Sequence, residues 1–151
     1  MSYTEVTADL FELDLPAIGH GCNCAGSMRG GIARQFRDLF PKMHRKYVRM
    51  CASDELVLGG MFVWVTPDLI VYNLATQRES GPDADLAAIS TSVTAALQDA
   101  HERGLDRLGL PRIGAGIGGL DWDDVSAVLR AAAEASPVDL VDLVVAMRPS
   151  P

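Results

Sequence analysis

The chain has 151 residues and carries 13 Lys and Arg against 20 Asp and Glu, a formal net charge of −7 with its 3 His neutral. That length predicts one domain with its own core, and 48% hydrophobic residues excludes an intrinsically disordered chain. The acidic balance argues against extended nucleic-acid binding, which needs clustered Lys and Arg along the phosphates, but it leaves open a ligand whose one or two phosphates are held by backbone N–H groups.

Taken in chain order, residues 17–22 read as a short strand running into a glycine-rich loop. A helix follows from about Gly30 to Phe40, with Ile32, Ala33, Phe36, Leu39 and Phe40 at helical spacing. Pro41 opens a second helix reaching Ala52. Residues 61–65 and 69–74 have strand composition and flank the turn Thr66-Pro67-Asp68, which predicts a hairpin. A long helix over 84–103 has a stripe of Leu86, Ile89, Val93, Ala96, Leu97 and Ala100, and Gly104 ends it. A strand at 106–110, a second glycine-rich loop over 111–120, a helix capped by Asp121, and a strand over 139–146 complete the series. Helices alternating with buried strands predict a mostly parallel sheet covered on both faces, in an α/β fold. No internal repeat or linker divides residues 1–148, and the Pro/Ser tail at 149–151 reads as frayed.

Three cysteines, Cys22, Cys24 and Cys51, make no disulfide framework, and Cys22-Asn23-Cys24 is too tight for a C-x2-C zinc pair, so no metal is expected. Free thiols without a secretory leader point to a reducing, cytoplasmic setting. No stretch approaches about 18 apolar residues, so no membrane span is expected.

The two glycine-rich loops carry the chemistry. In parallel sheets ligands bind beyond the carboxyl ends of strands, where loops enter helices. Both loops, His20 to Gly31 and Pro111 to Leu120, occupy such places. Glycine lets backbone approach a ligand, and successive N–H groups at a helix N-terminus hold anions. Two such loops can share a diphosphate without basic side chains. The run Gly114-x-Gly116-x-Gly118-Gly119 is not the G-x-G-x-x-G of a dinucleotide fold, comes late in the chain, and lacks the following acidic residue.

These loops resemble macrodomains. Asn23, Gly26 and Gly30-Gly31-Ile32-Ala33 resemble the family's first ligand loop, and Leu110-Pro111-Arg112 through Leu120-Asp121-Trp122 its second. Ala8-Asp9-Leu10-Phe11 resembles the family's Gly-Asp-Leu-Phe, and residues 73–76 the end of its middle strand. The nearest branch is that of terminal ADP-ribose protein glycohydrolase, the DarG antitoxin and ADP-ribose-1″-phosphate phosphatase. The resemblance implies a three-layer α/β/α fold with a mixed, mostly parallel sheet and an ADP-ribose site needing no cofactor. Asp9 would bond the adenine amino group beside Leu10. Asn23 and the Gly30-Gly31 turn would face the distal ribose, and Ile32 and Thr76 would also touch the ligand. Gly114, Ala115, Gly116, Ile117, Gly118 and Gly119 would wrap the diphosphate, with Arg112 either touching the ligand or bracing the loop against a carboxylate. The expected partner is ADP-ribose or an ADP-ribosylated macromolecule, protein or free nucleotide before long DNA, with ADP-ribosylated DNA left open. A monomer is expected.

Catalysis is where the sequence departs from that pattern. Glycohydrolases of this branch use a Lys after the strand-end Thr, which forms a Schiff base with the opened ribose; here Gln77 follows Thr76 and has no nucleophilic amine. Gly118 stands where the human terminal ADP-ribose protein glycohydrolase has an Asp, DarG-type enzymes having Gly there too, and Ile32-Ala33 supplies no acid after the first loop. Three outcomes follow: hydrolysis by water positioned between the diphosphate and Asn23, a phosphatase using His20 or an acid between Gln77 and Asp85, or a binding module without turnover. His20 is the general acid/base candidate because its unperturbed pKa lies near neutrality. A thiol enzyme on Cys22 or Cys24, with His20 as base, and a generic nucleotide-binding α/β protein are further readings.

Overall fold

The structure, a computed structural model, describes residues 3–135 and 141–147. Six strands form one sheet: β1 (Tyr3–Thr7), β2 (Ala17–Asn23), β3 (Met61–Val65), β4 (Ile70–Gln77), β5 (Arg107–Leu110) and β6 (Asp142–Met147). Four helices accompany them: α1 (Gly31–Leu39), α2 (Pro41–Ala52), α3 (Leu86–Glu102) and α4 (Trp122–Glu134). The strand order is β1-β6-β5-β2-β4-β3. Every pairing is parallel except β3 with β4, the hairpin expected at Thr66–Asp68, where the Thr66 hydroxyl donates to the Leu69 carbonyl at 2.8 Å.

The sheet separates two apolar cores. Helices α3 and α4 bury Ile89, Val93, Leu97, Val125 and Leu129 against Leu74, Leu108, Leu110 and Leu143 on one face. On the other, α1 and α2 bury Phe36, Met43 and Tyr47 against Ile18, Cys22, Val71 and Ala75. Period-2 alternation sends Ile18, His20 and Cys22 of β2 to the α1–α2 side. This is the three-layer α/β/α arrangement, mixed and mostly parallel, that the alternation of elements predicts.

Two elements escaped the sequence reading. β1 is a five-residue edge strand, Tyr-Thr-Glu-Val-Thr, in which only Tyr3 is buried, so it has no apolar run. A single 3-10 turn, Leu10–Glu12, follows it, capped by Asp9. β4 runs on to Gln77 rather than Leu74 because its last residues continue the ladder with β2, through an irregularity at Cys22/Asn23 that sets Asn23 beside Gln77. Helix α3 begins at Leu86, after Asp85, whose carboxylate accepts the Ala88 N–H. The strand start at 139, the break at Pro137 and the tail at 149–151 lie outside the described residues.

Chain direction reverses between β2 and β5. From β2 the chain proceeds through α1 and α2 to β3 and β4 on one side; from β4 it crosses by α3 to β5 and then β6 on the other. That reversal is the topological switch point of an open parallel sheet, and a crevice opens there at the strands' carboxyl ends.

Candidate functional site

A cleft of about 1150 Å³ fills this crevice. Its lining runs along the sheet edge: Thr7 ending β1 with Ala8, Asp9 and Leu10 after it, Ala146 in β6, Pro111 to Gly114 after β5, Asn23 ending β2, and Thr76 and Gln77 ending β4. Those five neighbouring strands span four spacings, about 19 Å in all. The site therefore suits a long, narrow ligand better than a compact one.

At the β1 end, Asp9 caps the 3-10 turn, its Oδ1 accepting the Phe11 N–H at 3.0 Å. The cap role and the cleft position coexist, since Asp9 is exposed and lines the cavity. Leu10 is buried at the wall, and Glu12 adds a second carboxylate.

The second loop forms the middle. Ile113, Gly119 and Leu120 donate to loop carbonyls at 2.8–3.2 Å and hold its shape. Among the described residues, the amides of Gly114 through Gly118 donate to no backbone carbonyl outside regular elements. Gly114 has φ +75°, and a Cβ on it would stand 2.7 Å from Ile89. A Cβ at Gly118 would stand 2.8 Å from both Ala84 Cβ and Gly114 O, whereas one at Gly116 would meet nothing within 4 Å. Gly118 is thus required by packing, and Gly116 keeps space open in the cleft. Of the residues expected to wrap a diphosphate, Gly114, Gly116, Ile117 and Gly118 line the cleft, while Ala115 and Gly119 do not. Gly119 lies against Pro82, 2.9 Å from where its Cβ would stand. Arg112 lines the cleft with its guanidinium 5.0 Å over the Trp122 ring, an aromatic brace in place of the expected carboxylate.

The first loop closes the cleft from the opposite side. Helix α1 starts at Gly31 with no side-chain cap on Gly30, leaving first-turn N–H groups for a ligand where Gly30, Gly31, Ile32 and Ala33 line the cavity. The Ile117 side chain reaches across from the second loop: Cβ atoms built on Gly30 and Gly31 would stand 2.9 and 3.3 Å from its Cδ1. At 57% exposed, Ile117 bridges the loops as an apolar strap above the cleft.

Asn23 marks the β2–β4 end. Its Oδ1 accepts from the N–H groups of Ala25 at 2.9 Å and Ser27 at 3.3 Å, and its Nδ2 donates to Ser27 O at 2.9 Å and Ser80 Oγ at 3.3 Å. The buried Tyr47 hydroxyl shares its proton between Asn23 O and Oδ1, each 2.8 Å away. Burial pushes that phenol far up, so it remains a donor. Asn23 is therefore an Asx-type brace of the loop as well as a cleft residue, and only the long bond to exposed Ser80 lies where a ligand can replace it. Thr76 is buried beside Gly21, whose Cβ would stand 2.8 Å from Thr76 Oγ1. Gln77 donates its amide to Glu79 O at 2.6 Å and Gly81 O at 2.9 Å.

His20 does not line the cleft. It sits three residues, about 10 Å, back from the end of β2, fully buried and stacked on Phe36 at 4.0 Å. Its Nε2 bonds Asn73 Oδ1 at 2.7 Å, and desolvation lowers its pKa to about 4, partly offset by that bond. The expected acid/base role is corrected accordingly: the ring is a core element. The loop acids are also engaged elsewhere. Asp83 accepts the N–H groups of Arg78 and Glu79, Asp85 caps α3, and none of Glu79, Asp83 and Asp85 lines the cleft. Cys22 is buried with its thiol donating to Leu74 O, and burial raises the pKa of both Cys22 and Cys24, so neither is poised as a thiolate.

Arg29, Gln35, Ser80 and Ala146 line the cleft without having been expected. Ala146 was findable from the strand-end rule; Tyr47, the support of Asn23, was not, because nothing in sequence links a mid-helix tyrosine to a loop 24 residues away.

The Macro domain family model matches residues 20–129, most of the chain. The chain belongs to the Macro domain family. Among curated proteins, this macrodomain is 33% identical over 140 residues to a "DNA ADP-ribosyl glycohydrolase" of Mycobacterium tuberculosis, covering 89% of the chain and 40% of the relative. It thus spans well under half the length of that relative. It is 29% identical over 140 residues to an "ADP-ribose 1''-phosphate phosphatase" of Candida albicans, covering 83% of the chain and 90% of the relative. Among solved structures, the macrodomain of Mycobacterium tuberculosis DarG superposes with a TM-score of 0.86 at 31% identity, covering 98% of each chain. Among the described residues, no helix is long and apolar enough to cross a membrane, and no group of three His, Cys, Asp or Glu is placed to hold a metal.

Proposed function

We propose that this macrodomain binds ADP-ribose along the strand-end cleft and hydrolyses a mono-ADP-ribosyl linkage on a macromolecule. The run of amides from Gly114 to Gly118 without carbonyl partners, facing the uncapped first turn of α1, carries the reading: it is a diphosphate cradle built from neutral backbone. Asp9 at one end offers a carboxylate to an exocyclic amine, and Asn23, Ser80 and Gln77 at the other meet the distal ribose, some 19 Å being available between them. The names of the two curated relatives support this ligand class.

The distal end holds no His, Lys, Asp or Glu among the cleft-lining residues. Hydrolysis here rests on water placed against the anomeric carbon, with the ligand's own diphosphate as the nearest base. The same poverty of titratable groups favours a second reading, a binding module without turnover. It weighs against the phosphatase, which needs an acid or His at that end.

Calorimetry with ADP-ribose tests binding. Saturation well below millimolar ligand is expected; none at about 1 mM, a free energy weaker than about −4 kcal/mol, overturns the site. Incubation with mono-ADP-ribosylated protein, ADP-ribosylated DNA and ADP-ribose-1″-phosphate then separates the readings. Release of ADP-ribose from either macromolecule is the expected result, and binding without release from any of the three selects the binding module.

A further inference from the structure

The net charge of −7 hides a strong segregation. Seven of the 13 Lys and Arg fall between residues 29 and 49 with a single acid, Asp38, so this segment carries +6 and the remainder −13. The structure gathers these groups on the outer layer formed by α1 and α2. Lys42, Arg45, Lys46 and Arg49 stand at i, i+3, i+4 and i+7 of α2, one exposed stripe beside the buried positions Met43 and Tyr47. Arg34 is exposed on α1, and exposed Arg29 lines the cleft itself, where the chain enters that helix. Asp38 is bound to Arg37 at 3.1 Å. Among the described residues, none of Arg29, Arg34, Lys42, Arg45, Lys46 and Arg49 forms an ion pair. The half-buried His44 between them has its pKa lowered, first by desolvation and then by Arg37 and Arg45.

Like charges at these spacings destabilise a helix. The fold itself gains nothing from the stripe apart from Lys46, whose ammonium lies 5.3 Å over the Phe62 ring. We propose that the basic α1–α2 face is a docking surface for a nucleic-acid backbone, which it delivers to the cleft mouth at Arg29. Helix α2, with 12 residues, is about 18 Å long, long enough for its four cations to meet several successive phosphates of one strand. The acidic remainder repels the same backbone and leaves one orientation of approach. A nucleic acid rather than an acidic protein is the fitting occupant because the cations form a regular line, which a periodic polyanion matches and an irregular scatter of carboxylates does not. The direction of delivery rests on the cleft being the ADP-ribose site; the docking itself does not.

The test is fluorescence anisotropy of labelled 20-nucleotide DNA and RNA strands free of ADP-ribose, with the full chain, across a salt series. Four neutralised phosphates give a log–log salt slope of about −2.8 for a single strand, a loss of about 50-fold between roughly 50 and 200 mM salt. Replacing three of the stripe together, Lys42→Gln, Arg45→Gln and Arg49→Gln, spares the Lys46–Phe62 contact. It is expected to weaken binding at least tenfold and flatten the slope by about 2, with thermal stability unchanged or raised by the relief of like-charge repulsion and calorimetric ADP-ribose affinity unchanged. Binding of either strand type with that salt dependence supports the surface, and the tighter of the two identifies the carrier. No binding at low salt, equal affinity in the triple variant, or displacement by polyglutamate at matched charge overturns it. Failure of ADP-ribose to bind while the strands still do would sink the proposed function and leave this surface standing.

Discussion

His20 gives the sharpest quantitative prediction because its ring is wholly buried and its pKa is lowered to about 4. In the unfolded chain the imidazole titrates near 6.5. A folded pKa below the unfolded one means that the unfolded state binds the proton more readily. Stability is full above about pH 6.5 and is lost as pH falls from there toward 4. Shifts of this size correspond to about 2 kcal/mol lost at about pH 5, approaching about 3 kcal/mol near pH 4. In a domain of this length that lowers Tm by about 4–8 °C at about pH 5. Urea unfolding followed by the fluorescence of Trp64 and Trp122 at a series of pH values measures it. The His20→Gln variant keeps a donor for Asn73 but does not titrate. It is expected to start less stable at neutral pH, having lost the Phe36 stack, and to fall less steeply toward pH 5 by about 2 kcal/mol. If wild type and variant lose stability in parallel over that window, the ring is not a buried neutral group. Turnover per folded molecule should match wild type at neutral pH, because His20 does not reach the cleft; a large loss would restore it to the site.

Four further outcomes follow from the cleft. Gly118→Ala is expected to cost about 1–3 kcal/mol of stability, since its Cβ overlaps Gly114 backbone and Ala84. Gly116→Val should leave urea unfolding nearly unchanged yet abolish calorimetric ADP-ribose binding, and undiminished binding there would remove the second loop as the cradle. Asn23→Ala strands the Ala25 and Ser27 N–H groups and should lower stability by about 1–3 kcal/mol while slowing any turnover about tenfold or more; an unchanged rate would mean that the distal end is misplaced. In Gln77→Lys, an amine replaces the amide at the position of the Schiff-base lysine in related glycohydrolases. Borohydride reduction during turnover is expected to trap a covalent adduct on that variant and none on the wild type, as read by intact mass; trapping on the wild type would reveal another nucleophile.

The parts of this site legible in sequence are those whose chemistry is local. A glycine run at a strand end and an Asn in a loop announce backbone geometry within a few positions, whereas Asp9 entered through the family resemblance and the 3-10 turn it caps was not foreseen. The errors came from relations across the fold. His20 shares the β2 segment with the ligand loop, and only the register with Asn73 and the packing of Phe36 show that it lies behind the cleft rather than in it. The loop acids looked free because their acceptor roles toward the Arg78, Glu79 and Ala88 amides depend on how the chain turns after β4. β1 was invisible for a different reason: an edge strand with one buried residue has no hydrophobic period to detect.

That edge strand bears on the order in which the site comes into being. Among the described residues β1 pairs only with β6, matching Tyr3 to Leu143 and Thr7 to Met147 across almost the whole length of the chain. During synthesis β2, β4 and the first loop can assemble as soon as α3 has emerged, whereas β1 must wait for β6 before it has a neighbour. The Asn23 end of the cleft therefore exists before the Asp9 end, and Asp9 is fixed last. In the finished protein the same step runs backwards most easily, so hydrogen exchange should find β1 opening at lower free energy than β2 and β4. Bound nucleotide, by fastening Asp9, would slow exchange along an edge strand that reaches the cleft only at its last residue, Thr7.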